Sequence, residues 1–297
     1  MRSRGPLLVI LAVGVGLAAA PMVFQMFTRA PLGGQMIEEF RPFMSPARLD
    51  AFEGHLTRIG AAVESLHRRG AGLEHPLVEP LATQWPEIDA DMTGMLDDIR
   101  DNLDNFAAVA ALPPFPLFPW FFLAPGLLLA WGAGAGLRRA DHDGLPASTR
   151  AVLVALGLGL VAAPAVFQMF ERAPLGGDMI ADFRSLMTEE RIQSVQGYFL
   201  VIGAAEGALR TEVLEELEAD GMRAVDVRNL VDAWPAMAAD MAPMIGAMSD
   251  NLDNYRAVAA LPPFGLFPWF FVIPGLLVAG LALLPPGTAT AQKETTP

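Results

Sequence analysis

The sequence predicts an all-α integral membrane protein. It has four transmembrane helices and an extracytoplasmic helical bundle, built as two parallel repeats with a pseudo-twofold axis along the membrane normal. Three observations predict this. Four stretches carry no charge: Leu7 to Phe27, Ala107 to Leu137, Ala151 to Phe170 and Leu266 to Leu284. About 20 helical residues cross the hydrocarbon layer, and each stretch reaches or approaches that length. Only 18% of the chain is charged, against about 25% in soluble domains. Finally, the chain repeats itself, and its charges are partitioned between segments.

Repetition is explicit. APMVFQMFTRAPLGGQMIEEFRPFM at Ala20 returns as APAVFQMFERAPLGGDMIADFRSLM at Ala163, and DNLDNFAAVAALPPFPLFPWFFLAPGLL at Asp101 as DNLDNYRAVAALPPFGLFPWFFVIPGLL at Asp250. The offset grows from 143 to 149 residues, so the second copy has about six extra residues. Two spans per copy leave both copies facing the same way, the parallel-repeat arrangement of some transporters. The domains follow: repeat 1 over 1–137 (spans 7–27 and 117–137, hairpin 28–114), a cytoplasmic loop over 138–150, repeat 2 over 151–284 (spans 151–170 and 266–284, hairpin 171–263), and a cytoplasmic tail over 285–297.

Charge sets the topology. Arg2 and Arg4 precede the first span, and Arg138, Arg139 and Arg150 lie between the second and third. Arginines in short loops mark the cytoplasmic side. Residues 28–114 hold seven arginines against 14 acids, and 171–263 seven against 16; both segments are expected outside. The plasma membrane is the expected location, with membrane lipid as solvent and a protein partner in the cell envelope. An acidic exterior disfavours nucleic acid. Ala18, Ala19 and Ala20 resemble a signal cleavage site, but Pro21 follows them and residues 151–170 repeat the pattern in mid-chain, so the first span is expected to remain.

Within a unit, each first span is expected to break at APLGG (Ala30 to Gly34, Ala173 to Gly177). Met36, Ile37, Phe40, Phe43 and Met44, with Met179, Ile180, Phe183, Leu186 and Met187, form a short amphipathic piece that lies at the interface or plugs a bundle. Ser45-Pro46 and Thr188 read as helix caps. Behind them Leu49, Phe52, Leu56, Ile59, Val63 and Leu66 form a seam, matched by Ile192, Val195, Phe199, Ile202 and Leu209, with Glu206 the polar exception. A return helix carries Trp85, Met92, Met95, Ile99, Leu103 and Phe106, matched by Trp234, Met241, Met244, Met248, Leu252 and Tyr255. Two such hairpins make a four-helix bundle. Phe118, Trp120 and Phe121, with Phe267, Trp269 and Phe270, form the outer aromatic belt. Gly14, Gly16, Gly157, Gly159, Gly132 and Gly136 set small residues where spans can approach.

Chemistry is sparse. The chain has no cysteine, which removes thiolate sites and disulfides, and no cofactor motif is present. The methionine stripe Met237, Met241, Met244 and Met248 reads as core, since Ile88 and Ile99 replace its ends in the first copy. His55, His67, His75 and His142 have no counterparts in the second copy and read as isolated surface residues. Asp97, Asp101 and Asp104 share a helix face but match no calcium loop. Their better use is pairing: Arg41 with Asp101 or Asp104, and Arg184 with Asp250 or Asp253, clamping a collar. No serine or threonine has a partner at catalytic spacing, so no enzyme is expected. No ionisable group interrupts a span, which disfavours a self-sufficient transporter.

The signature F-R-x-x-M-[ST] (Phe40 to Ser45, Phe183 to Thr188) and A-L-P-P-F…F-P-W before the next span resembles small two-span membrane proteins of actinobacteria. The likeness implies the unit's architecture and carries over no catalytic or binding residue. The leading expectation is a non-enzymatic scaffold, accessory subunit or sensor of an envelope or transport complex. The alternatives are a binder of lipid or a small apolar ligand, and a small transporter or channel acting as an oligomer. A cavity at Met92, Met95, Met241 and Met244 would favour the binder; a filled core would favour the scaffold.

Overall fold

The computed structural model describes residues 4–70, 72–139, 147–219 and 224–284, and among them every element is helical. Arg2, His142, residues 140–146 of the middle loop and the whole of 285–297 lie outside the described residues. The chain divides into two compact units, each built from both copies of the repeat.

The first unit comprises Met1–Gly34, Ala111–Gly177 and Ala260–Pro297. It contains the four helices long and apolar enough to cross a membrane. These are α1 (Arg4–Val23), α6 (Phe118–Arg139, preceded by a 3₁₀ turn at Phe115–Leu117), α7 (Ala147–Val166) and α13 (Trp269–Leu283, preceded by a 3₁₀ turn at Phe264–Leu266). The chain is thus a helical membrane protein with four candidate spans. Packing proceeds in a ring, α1 on α6, α6 on α7, α7 on α13 and α13 on α1, with the α1–α6 and α7–α13 seams the most extensive. Glycine sets those two seams. A Cβ on Gly14 would lie 2.6 Å from the Ala130 amide nitrogen, and one on Gly157 2.8 Å from that of Ala279. The facing glycines are Gly126 and Gly275, rather than the Gly132 and Gly136 expected from spacing in the second span.

The first span ends earlier than expected. Gln25 and Gln168 take left-handed backbone angles, with φ of 54° and 53°. New helices start at once: α2 (Met26–Phe40) and α8 (Met169–Asp182). Both run straight through APLGG, so the break expected there is corrected. Pro31 removes only one amide donor, and a helical glycine costs about 1 kcal/mol. Continuing the helix buries Met36 and Ile37, and Met179 and Ile180 in the second copy, and that burial outweighs the local preference.

The second unit comprises Gln35–Ala110 and Asp178–Ala259. Its long helices are α3 (Pro46–Arg69), α4 (Glu79–Asp101), α9 (Glu189–Ala208) and α11 (Val225–Asp250). They close a ring in which α3 packs on α4 and α11, and α9 packs on α4 and α11. Ser45 and Thr188 cap α3 and α9, each side-chain oxygen accepting from the amide three residues on, at 3.3 and 3.1 Å. Leu49, Phe52, Leu56, Ile59, Val63 and Leu66 are all buried, as are Ile192, Val195, Ile202 and Leu209. The return helices are not continuous. Each breaks at a buried asparagine, Asn102 or Asn251, before a short helix, α5 (Leu103–Ala110) or α12 (Leu252–Ala259). There Asn105 and Asn254 donate to the side-chain oxygens of Asn102 and Asn251 at 2.9 and 3.0 Å. DNLDN therefore serves a helix break, where the sequence suggests an acidic face and a collar pairing. A π-helical segment (Leu209–Val213) leads from α9 into α10 (Leu214–Ala219). Just before it the buried Glu206 carboxylate is held by Arg210, which also donates to the Val231 carbonyl.

Candidate functional site

Two features of the second unit gather side chains from both copies: a reciprocal pair of polar clamps and an apolar cavity. The clamps begin at the helix caps. One turn into α3, Arg48 reaches across to α11, where Nη1 donates to Asp240 Oδ1 at 2.9 Å and Nη2 to the Asp240 carbonyl at 2.9 Å. His55, two turns further along α3, places Nε2 3.2 Å from Asp240 Oδ2. In the second copy Arg191 of α9 reaches α4, with Nη1 2.5 Å from Asp91 Oδ2 and Nη2 3.3 Å from the Asp91 carbonyl. Tyr198, in the place of His55, donates to Asp91 Oδ2 at 2.8 Å. Each copy thus supplies the arginine of one clamp and the aspartate of the other.

The electrostatics follow from these contacts. Hydrogen bonds from His55 and Arg48 hold the Asp240 carboxyl below its ordinary range. Partial burial pushes Asp91 up, but the hydrogen bonds from Arg191 and Tyr198 and the arginine's charge outweigh it and leave Asp91 lowered. Burial and the Asp91 carboxylate raise Tyr198, so it stays a donor at neutral pH.

The cavity measures about 50 Å³. Met36 and Phe40 of α2, Met95 of α4, Met179 of α8, and Met244 and Met248 of α11 are among the side chains around it. Seven of the 15 methionines line it. Tyr255 is the only lining residue with a polar side chain, and its hydroxyl donates to the Ile180 carbonyl. Burial raises the Tyr255 phenol above its ordinary value.

Arg41 and Arg184 do not make the expected collar clamps. Arg41, just past the end of α2, pairs with Glu38 of that helix at 2.7 Å, and no ion pair joins it to Asp101 or Asp104. Arg184 lies by the Tyr255 phenol and forms no ion pair with Asp250 or Asp253. Asp253 is exposed and pairs with Arg256 at 3.1 Å, while Asp101, Asp104 and Asp250 are exposed. The clamp chemistry therefore exists, but between Arg48 and Asp240 and between Arg191 and Asp91. The signal was available: both arginines stand three residues after a cap, and both aspartates recur between the copies.

The histidine reading also changes. His55 joins a clamp, His67 Nδ1 lies 3.0 Å from the Val63 carbonyl, and His75 Nε2 lies 3.1 Å from Glu212 Oε2. Met237, Met241, Met244 and Met248 are all buried, as core positions. Met92 and Met241 sit in the filled core, whereas Met95 and Met244 line the cavity. Among the described residues no group of three or more His, Asp or Glu side chains is arranged to hold a metal.

In the span unit the aromatic set divides. Trp120, Trp269 and Phe270 are exposed, with Phe121 half-exposed, but Phe118 and Phe267 are buried. Those two rings meet across the copies at 6.3 Å, and Phe122 and Phe271 at 4.5 Å. Phe118 and Phe267 are thus packing residues inside the unit. A second reciprocal exchange accompanies them: Arg29 donates to the Ala260 carbonyl at 3.2 Å and Arg172 to that of Ala111 at 2.9 Å. Each arginine caps a carbonyl just beyond a helix end of the other copy.

Comparison with family models, with curated proteins and with solved structures finds no match.

Proposed function

We propose that this is a non-enzymatic plasma-membrane protein whose two parallel repeats, related by a pseudo-twofold axis along the membrane normal, hold an acidic helical domain outside the cell. In this reading the chain serves as scaffold, accessory subunit or sensor of an envelope complex. Its N-terminus, middle loop and tail lie in the cytoplasm. The carrying observation is the reciprocal exchange of contacts, Arg48–Asp240 with Arg191–Asp91 in one unit and Arg29–Ala260 with Arg172–Ala111 in the other. A transporter that works by rocking one repeat against the other would have to break these ties in every cycle. A presenting domain gains from keeping them. The arginines of the short segments at the other span ends, Arg4, Arg138, Arg139 and Arg150, support an outside location for the long acid-rich segments that form the second unit.

Affinity purification of the full chain in mild detergent tests the role. A stoichiometric envelope transporter or synthase, lost when Arg48 and Arg191 are both replaced by alanine, supports an accessory subunit. Substrate flux through liposomes containing the purified chain alone would overturn the reading. Tags placed near residues 75 and 221 are expected to be reachable from outside intact cells, and a tag at the N-terminus only after permeabilisation.

A further inference from the structure

We infer that the cavity in the helical bundle is a binding site for a small, uncharged, apolar molecule, either free or as the end of a lipid acyl chain. Four observations carry this beyond the presenting role. The cavity is partly open rather than sealed, so an occupant can enter, and its volume of about 50 Å³ is several times what one water needs. Methionine, with three rotatable bonds, is the side chain best able to fill a gap. A ring of seven methionines that still leaves a gap has side chains able to close around an occupant. Moreover, of the four corresponding pairs that contain methionine, three are methionine in both copies: Met36 with Met179, Met44 with Met187, and Met95 with Met244. The fourth pair is Ile99 with Met248.

The lining also selects charge. No polar surface faces the space, and the one hydroxyl nearby is spent on the Ile180 carbonyl. A charged or hydrogen-bonding ligand would lose its hydration with nothing in return. The same point weighs against a thioether site for Cu(I), the other chemistry methionines suggest. No carboxylate lines the cavity to offset the charge, and Ile99 stands where Met248 stands in the other copy.

The test uses the full chain in detergent with ¹³C-methyl methionine and benzene as the probe. Cavity methyls, Met95 and Met244 first, are expected to shift and saturate, while buried Met92 and Met241 do not shift and Met22, exposed on a span, shows only the linear drift of benzene dissolved in the micelle. Two arms separate the sources. If exhaustive delipidation alone moves the cavity methyls, and extraction recovers a lipid, the occupant is an acyl chain; if delipidation changes nothing and benzene saturates, it is a free small molecule. Met244→Phe, which fills the space, is expected to abolish the benzene shifts with the fold intact. Should that variant not fold, the wild-type titration still decides. Linear, unsaturating shifts at Met22 and the cavity methyls alike would mean partition into the micelle and overturn the inference. So would no shift with benzene together with saturable shifts on adding Ag(I), which would assign the methionines to a soft metal.

Discussion

Replacing Gly126 by alanine puts a Cβ 2.5 Å from the Ala18 amide nitrogen, 2.7 Å from the Gly14 carbonyl oxygen and 3.0 Å from the Ala18 Cα. All three are backbone atoms of α1, so no rotamer change relieves the clash; the helices themselves must part. Restoring an ordinary contact of at least 3.4 Å requires about 1 Å of separation along that line. A gap of that size forfeits roughly a quarter to a half of each dispersion contact it opens. With about 0.1–0.2 kcal/mol per atom pair and some tens of pairs along the α1–α6 seam, the loss is about 2 kcal/mol, within the usual cost of overpacking. Gly275→Ala is expected to behave alike, with the Gly157 carbonyl oxygen at 2.6 Å. Gly16→Ala is the control: nothing lies within 4 Å of its Cβ, so only helix propensity acts and stability holds or rises slightly. The assay is reversible unfolding in mixed micelles followed by far-UV circular dichroism. Equal stability of Gly126→Ala and Gly16→Ala would refute the argument that these spans touch through Gly126.

The clamps predict a pH dependence. Asp91 and Asp240 titrate below their unfolded value of about 3.9. Their contribution is therefore complete above that value and lost as pH falls through the lowered native ones. Wild type should lose more thermal stability below about pH 4 than the Asp91→Asn/Asp240→Asn double variant; parallel curves would contradict this. A double-mutant cycle on Arg191 and Asp91, whose side chains are 21% and 28% exposed, should give about 1 kcal/mol of coupling. The more exposed Arg48–Asp240 pair should give less, and the reverse order in denaturant unfolding would count against the geometry. Arg210→Ala strands the Glu206 carboxylate, 8% exposed, and should cost about 2 kcal/mol or more. Glu206→Leu/Arg210→Leu removes both charges and should cost less; a double variant no better than the single would show that the pair is not isolated from water.

The spans, the caps and the two seams were legible because each follows from a local rule: length in lipid, an oxygen-bearing side chain before a helix, apolar residues three and four apart. What the sequence hid was relational. The break at Gln25 uses a residue with no special left-handed preference, so no local signal marks it, whereas APLGG offered a strong one that packing overrode. Gly126 lay behind Pro125 and among leucines, and its importance rests on Gly14 lying across from it. The clamps are hidden because chain distance within one copy sets Arg41 against Asp104. The partner of Arg48 lies 192 residues away, in the other copy. Repetition made both partners visible as recurring residues without saying that they cross over.

That crossing over explains where the copies agree. Arg48, Asp91, Arg29, Ala111, Phe118 and Phe122 all have the same residue at the corresponding place in the second copy. Every one of them meets a residue of the opposite copy. A change at Arg48 would leave Asp240 partly buried without its guanidinium while the twin clamp stood intact. Such a change is therefore felt in the copy that did not change, and neither copy can drift alone there. Where an interaction stays within one copy, both partners can change together without disturbing the other copy. Glu206 and Arg210 pair within α9 and the π-helical segment that follows it, and the corresponding stretch of the first copy is a plain helix running on to a glycine cap at Gly70. Burial alone does not hold the copies to the same residue: Ile88 and Met237 are both fully buried and differ.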